Sequence, residues 1–142
     1  MTCIRAATPS DASTISELAT QLGYPTSADE TVERLAALPA DDTLLVATDE
    51  HDRVIGWIHV ALVTTVQSGT RAEIHGLVVD AMHRSEGSGA ELVAAAEAWA
   101  RLRAMPEIVV RSRSTRDRTH RFYERLGYAE IKRSHVFAKP IV

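Results

Sequence analysis

The segment Arg84-Ser85-Glu86-Gly87-Ser88-Gly89-Ala90 has the clearest chemical potential in this sequence. It lies between a predicted strand and a predicted helix. Unpaired backbone N–H groups at the start of a helix, together with the helix dipole, attract anions. Glycines let the backbone approach a phosphate closely, and Arg84 can add a bidentate contact. The segment therefore predicts a phosphate-binding loop, and the alternative is a glycine-rich surface turn.

Two other glycine-rich motifs do not fit the segment. A dinucleotide-binding fingerprint would need a third glycine where Leu92 stands, and a P-loop would need Gly-Lys-Ser/Thr at Gly89-Ala90-Glu91. The choice between a phosphate loop and a plain turn therefore depends on the surrounding sequence.

A carboxylate and an imidazole lie close together on the strand before the loop. Glu73 and His75 share one face of that strand, because side chains alternate with a period of two. Either group could take a proton from an amine, directly or through water. Alternatively, Glu73 binds a cationic substrate without moving protons, or both residues face solvent. No histidine spacing resembles a zinc motif such as HExxH, and there is one cysteine, so no metal is expected.

The elements that must position these residues follow from periodicity and capping signals. The predicted order is β-α-α-β-β-β-α-β-α-β-β. Pro9 and a capping box at Ser27 begin the first two helices, and Gly127 ends the last helix. The later predicted elements are strands over 43–48, 54–65 and 72–79, a helix over 90–103, a strand over 107–111, a helix over 117–126, and final strands over 128–132 and 134–139.

Two motifs in this order carry a family resemblance. The pattern Val78-Val79, loop, Arg84-x-x-Gly87-x-Gly89-x-x-Leu92 resembles the acetyl-CoA pyrophosphate loop of the GNAT superfamily of N-acetyltransferases. Farther along, His120-Arg121-Phe122-Tyr123-Glu124-Arg125-Leu126-Gly127-Tyr128 is similar to the "FYxxxGF/Y" helix and turn of that superfamily. The motifs stand in the family's order with one strand between them. The resemblance extends more weakly over the whole chain.

The resemblance implies a fold and a donor site. The fold class would be α/β: one N-acetyltransferase domain over 1–142, with a central mixed, mostly antiparallel sheet, a splayed parallel pair of strands and about four flanking helices. Acetyl-CoA would bind as co-substrate, without a metal. Its pantetheine arm would pair with the main chain of the strand, and its pyrophosphate would lie in the loop. The implied donor-binding residues are Leu77, Val78, Val79, Arg84, Ser85, Glu86, Gly87, Ser88, Gly89, Ala90 and Tyr123.

One position departs from the family pattern. Many members carry an asparagine six residues before the phenylalanine of the second motif, where this chain has Arg116. A side-chain amide contact to the pantetheine arm is therefore replaced by a guanidinium, which could lie near phosphate.

The resemblance also implies a mechanism, which is direct attack of a primary amine within a ternary complex. Tyr123 would be the acid that protonates the departing thiolate, and the alternative is an aromatic residue that only anchors its helix. Glu73 is the candidate base, with His75 or water as alternatives. Tyr24, Trp57, Glu73 and His75 are the candidate acceptor-binding residues.

Composition limits the partners. A chain of 142 residues with a formal net charge of -3 and no long apolar run predicts a cytoplasmic protein without a membrane anchor. The arginine-rich stretch 111–125 could suggest RNA binding, but aromatic residues are few, so no nucleic-acid partner is expected. We expect a small or peptidyl amine as acceptor, and dimers, common in the family, leave a homodimer open. The alternative function is a non-catalytic GNAT-like module that binds CoA as a sensor or scaffold.

Overall fold

The computed structural model of the chain describes residues 2–113 and 117–142. They belong to two units, Met1–Val110 and Arg111–Val142. The first unit contains, in order, β1 (Cys3–Ala6), a 3-10 turn (Pro9–Asp11), α1 (Ala12–Leu22), α2 (Ala28–Ala36), β2 (Asp42–Thr48), β3 (Val54–Thr65), β4 (Gly69–Val79), a second 3-10 turn (Ala81–His83), α3 (Ser88–Leu102) and β5 (Ile108–Val110). The second unit contains α4 (Asp117–Arg125).

The first unit is built on a five-stranded sheet with the strands in chain order. β1 to β4 pair antiparallel, whereas β4 and β5 are parallel and are joined through α3. The parallel pairing covers only Ala72–Ile74 of β4. Beyond it, the last residues of β4, Leu77, Val78 and Val79, pair with β3 on one side, and no strand in the described part of the chain pairs with the other. The mixed, mostly antiparallel sheet with a splayed parallel pair is thus confirmed.

Helices of the first unit cover both faces of its sheet. Trp57 of β3 donates its indole N–H to the Ile15 carbonyl of α1 (3.2 Å). A Cβ on the next residue, Gly56, would lie 3.2 Å from a methyl carbon of Leu92 in α3. Because neighbouring residues in a strand face opposite sides, α1 and α3 lie on opposite faces. The core between the sheet and α3 holds fully buried side chains of both elements, Ile58, Val60, Leu92 and Val93, whereas the buried Val46 lies opposite Trp57 on the α1 face.

The capping box predicted at Ser27 forms, whereas Pro9 does not begin α1 itself. Ser27 Oγ accepts a hydrogen bond from Glu30 N (3.1 Å), and Glu30 Oε1 accepts one from Ser27 N (2.9 Å), so the capping box is complete. Gly23 ends α1 with a φ of 107°, a left-handed conformation that suits glycine. The residues after Pro9 form a 3-10 turn before α1 instead of its first turn.

The second unit differs from the sequence prediction after its helix. α4 forms as expected, and Gly127, with a φ of 94°, follows it. Residues 128–142 form no helix or strand, so the strands predicted over 128–132 and 134–139 are absent. Val136 and Phe137 are each 91% exposed. Their β-forming side chains therefore lack the strand partner and the buried face that would make them a strand, and this prediction is wrong.

No helix in the described ranges combines the length and the apolar character that crossing a membrane requires.

Candidate functional site

The glycine segment forms a turn between β4 and α3. Asp80, just after β4, accepts a hydrogen bond from Met82 N (3.3 Å) and starts the second 3-10 turn. Ser85 and Gly87 then adopt positive φ angles of 71° and 88°, which turn the chain into the helix. α3 begins at Ser88, two residues earlier than the sequence predicted. This geometry leads the backbone directly from the last residue pairs of β4 to a helix N-terminus.

The start of α3 has the properties of an anion site. No side chain caps it, and Glu91 N is the first amide that bonds back along the turn, to Gly87 O (3.1 Å). The earlier N–H groups have no acceptor inside the helix. Arg84 is exposed beside them, and Gly87 leaves open space where a Cβ would stand. The residues present therefore fit a phosphate group.

Side chains of the loop contribute unequally. Ser88 is 1% exposed, and its hydroxyl lies 3.4 Å from the Thr2 hydroxyl, so this side chain is not available to a ligand. The carboxylate of Glu86 lies 3.3 Å from His83 Nδ1. When His83 is protonated, its positive charge offsets the negative charge of Glu86, which would otherwise repel a phosphate group. No motif around His83 indicated this role.

Glu73 and His75 lie together, as their spacing predicts. Glu73 is 8% exposed, and its Oε1 lies 3.6 Å from His75 Nε2. A β-bulge positions His75, because His59 of β3 pairs with Gly76 and Val60 pairs with Ile74, which leaves His75 without a partner of its own. A bulge directs the extra side chain away from the regular alternation. Glu73 and His75 therefore form one polar group on β4.

Two further polar residues join this group across the sheet. His59 Nε2 lies 2.8 Å from Asp42 Oδ2, and the rings of His59 and His75 meet edge to face with centroids 5.1 Å apart. The spacing of Asp42 and His59 in the chain carried no recognisable motif. The available signal was the hairpin itself: once β2 and β3 pair, Leu44 lies opposite His59, and Asp42 lies diagonally from it.

Trp57 and Tyr24 differ in their surroundings. The Trp57 ring lies over Gly76, where an added Cβ would be 2.9 Å from Trp57 Cζ3. Trp57 thus stands beside the group formed by Glu73 and His75. Tyr24 follows the end of α1 and is 56% exposed. An acceptor-binding role for Trp57 and for Tyr24 stays a prediction.

Tyr123 belongs to the second unit. It is 7% exposed, and its ring packs edge to face against Phe122 and Tyr128, with centroids 5.1 and 5.5 Å away. Burial raises the pKa of the Tyr123 hydroxyl to about 12, so the group holds its proton at neutral pH. Arg116, the predicted guanidinium near phosphate, lies outside the described residues.

The chain is similar in sequence to known acetyltransferases. The family model described as "Acetyltransferase (GNAT) family" matches residues 12–128. An aminoglycoside N(6')-acetyltransferase type 1 from Stenotrophomonas maltophilia is 28% identical, covering 97% of this chain and 93% of the relative.

Solved structures show the same fold. A crystal structure of an aminoglycoside 6'-N-acetyltransferase from Acinetobacter baumannii superposes with a TM-score of 0.85 at 22% identity, covering all of both chains. Glucosamine-6-phosphate N-acetyltransferase from Arabidopsis thaliana gives a TM-score of 0.79 at 20% identity, covering 97% of this chain and 99% of that one. Members of the matched family use acetyl-CoA as co-substrate. With the family model spanning both the glycine segment 84–90 and the Tyr123 helix, the chain belongs to the GNAT family of acetyltransferases.

Proposed function

We propose that this acetyltransferase moves an acetyl group from acetyl-CoA to a primary amine of a small, cationic amino sugar. The observation that carries the proposal is the uncapped start of α3, flanked by Arg84 and placed directly after the strand that holds Glu73. A site for a phosphate-bearing donor and a carboxylate suited to an amine thus lie on one continuous piece of chain.

Donor binding is supported by two features of the first unit. The N–H groups at Ser88, Gly89 and Ala90 precede the first intrahelical bond of α3 and can hold the pyrophosphate. In β4, Leu77–Val79 lack a partner from β5, so their main-chain groups are available on that side for an extended pantetheine arm. The thioester of the bound donor supplies an activated acetyl group.

The chemistry needs a proton acceptor and a proton donor. The amine nitrogen must lose a proton when its bond to the acetyl carbon forms, and the departing sulfur must gain one as the C–S bond breaks. We assign proton removal to Glu73, whose carboxylate is largely buried beside His75, with His75 or an intervening water as alternatives. We assign proton donation to Tyr123, which its raised pKa keeps protonated.

The acceptor class follows from charge and from the relative. The stretch 29–52 is rich in Asp and Glu, and Asp42 of β2 and Glu73 of β4 place two carboxylates on either side of β3, each opposite Ala61. Such a surface favours a polycationic acceptor. The S. maltophilia relative carries the name of an enzyme that acts on the 6'-amine of aminoglycosides, which supports an amino sugar over a polyamine or a peptide lysine.

The test is a turnover assay with matched acceptors. Purified protein is incubated with acetyl-CoA and either a 6'-amino aminoglycoside, its 6'-hydroxy counterpart, spermidine or a lysine peptide. Release of free thiol and addition of one acetyl group to the product are followed. We expect turnover with the 6'-amine and little with the 6'-hydroxy compound. Turnover restricted to the polyamine or the peptide would contradict the acceptor, and absence of both turnover and donor binding would contradict the enzyme.

Variants of Glu73 test the assignment of the base. Glu73→Gln keeps the size of the side chain and should lower kcat by roughly 100- to 10,000-fold with a smaller change in the KM for the amine. Glu17→Gln, at an exposed position of α1, is the matched control and should retain activity. A rise in KM alone would assign Glu73 to acceptor binding instead of proton removal.

A further inference from the structure

The first unit contains a second cluster of chemically capable side chains whose members come from three strands. Asp42 stands at the start of β2, His59 is in the middle of β3, and His75 is in the β4 bulge. Asp42 and His75 also belong to the proposed acceptor side, whereas the mechanism proposed above gives His59 no role. The bulge is what brings the third member to the other two, because it places both His75 and Gly76 opposite His59.

The potential ligand atoms of this cluster lie close enough together for one metal ion to bind all three after small adjustments. One ligand atom from each of Asp42, His59 and His75 can be chosen so that all three lie within 4.8 Å of one another. Zinc binds imidazole nitrogen and carboxylate oxygen at about 2.0–2.2 Å, so two ligands of one tetrahedral ion stand roughly 3.4 Å apart. The pair Asp42–His59, at 2.8 Å, is closer than this spacing and would have to open slightly, and a ring nitrogen of His75 lies within 4.8 Å of both.

Burial and charge also fit a cation. The side chains of Asp42 and His59 are 13% and 24% exposed, whereas that of His75 is 36% exposed. The cluster is thus sheltered on the Asp42 side and open on the His75 side, which provides an entry path. Among the described residues, the side chain that pairs with the Asp42 carboxylate is the His59 imidazole, which is neutral unless protonated. Glu73 adds a second carboxylate 3.6 Å from His75.

We propose that Asp42, His59 and His75 form a binding site for a divalent transition-metal ion of the zinc class. Two imidazoles and one carboxylate are a donor set typical of such ions, and they leave a fourth position for water or for a nearby group such as Glu73. Mg²⁺, which prefers oxygen ligands, should bind poorly. The site shares His75 and Glu73 with the proposed acceptor side, so its test measures metal affinity and stability and does not depend on acetyl transfer.

The ion would tie together β2, β3 and β4. Since it binds the folded chain through ligands from three strands, it should raise the free energy of unfolding and the melting temperature. A sequence motif could not have indicated this site, because no two of the ligands share an element.

The test measures Zn²⁺ binding directly on the whole chain, freed of any histidine tag and of bound metal. Calorimetric titration with ZnCl₂ should show one tight site per chain, and MgCl₂ should show none. Asp42→Asn and His75→Ala should each weaken zinc affinity by more than about tenfold and should abolish the zinc-induced rise in Tm. His51→Ala and His135→Ala remove exposed histidines outside the cluster and should leave affinity unchanged.

A spectroscopic measurement keeps the test decisive if one variant folds poorly. Co²⁺ bound by the wild-type chain should give the visible absorption of a tetrahedral nitrogen and oxygen site, and Zn²⁺ should displace it. The proposal is overturned if the wild-type chain binds no zinc at micromolar concentrations. It is also overturned if well-folded Asp42→Asn and His75→Ala retain wild-type affinity, in which case the Asp42–His59 contact is a structural hydrogen bond.

Discussion

At the scale of single residues, burial determines what Tyr123 can do. Its hydroxyl is attached to a ring that is 7% exposed, and removing water from the charged form raises its pKa to about 12. A phenol with this pKa stays protonated at the pH values at which amines are acetylated. It can therefore donate a proton but cannot act as a base near neutral pH.

Replacing Tyr123 by phenylalanine should separate chemistry from binding. The variant keeps the packing against Phe122 and Tyr128 but lacks the hydroxyl that would donate the proton. Its kcat should therefore fall roughly 100- to 10,000-fold. Affinity for CoA, measured by calorimetry, should change little. Glu17→Gln, at an exposed position of α1, is the control and should keep kcat. Full activity of the Tyr123→Phe variant would mean that water or another group protonates the sulfur.

At the scale of elements, short polar connections hold the strands and helices in place. Arg5 of β1 donates to both carboxylate oxygens of Asp11, at 2.8 and 3.0 Å, and Asp11 also accepts from Thr8 N. The hydrogen bond from Arg5 is the main cause that holds the pKa of Asp11 below its usual value. This contact joins the first strand to the turn that begins α1.

Asp11→Asn should lower stability in a way that depends on pH. Because the folded-state pKa is lowered, the pair stabilises the fold above the unfolded-state value of about 4, and that stability is lost as the pH falls through the folded-state pKa. We expect a loss of about 1–3 kcal/mol at pH 7 and a smaller difference from wild type at pH 3 in urea unfolding. An equal difference at both pH values would contradict this ion pair as the cause.

Gly76, at the bulge in β4, lies directly against the ring of Trp57. A Cβ at that position would lie 2.9 Å from Trp57 Cζ3, so Gly76→Ala must displace the indole that bonds to Ile15 O. We expect destabilisation of about 1–3 kcal/mol in urea unfolding and a changed tryptophan emission. In a Trp57→Phe background the same substitution should cost less, because the smaller ring leaves room. An equal cost in both backgrounds would assign the effect to the backbone.

At the scale of the whole molecule, ligand binding should raise the free energy of unfolding. A donor that binds only the folded chain adds about 2.7 kcal/mol to the free energy of unfolding at 100 times its Kd. For a chain of this length the melting temperature should then rise by roughly 5–10 °C with acetyl-CoA.

Arg84→Ala tests whether the loop is responsible for this rise. Arg84 is exposed, so its removal should leave the melting temperature of the free chain unchanged while reducing the shift with acetyl-CoA. Arg53→Ala, in the turn between β2 and β3, should keep the full shift. An equal shift in the wild type and in Arg84→Ala would exclude the guanidinium from donor binding.

Much of the fold could be predicted from local sequence. The hairpin of β2 and β3, the capping box at Ser27 and the helix that follows the glycine segment all depend on residues close together in the chain. The strands expected after Gly127 did not form, although their side chains favour them. A strand exists only through hydrogen bonds to a partner, and a single sequence does not say whether a partner is in reach.

By itself, the sequence was enough to indicate an anion-binding loop before α3, to place Glu73 and His75 on one face, and to suggest the family. Those features depend on helix and strand periodicity and on nearby motifs. Only the tertiary structure brought Asp42 and His59 to His75, because their meeting depends on the register between β2 and β3 and on the bulge between β3 and β4. A shift of one residue in either register would turn these side chains to the opposite face of the sheet.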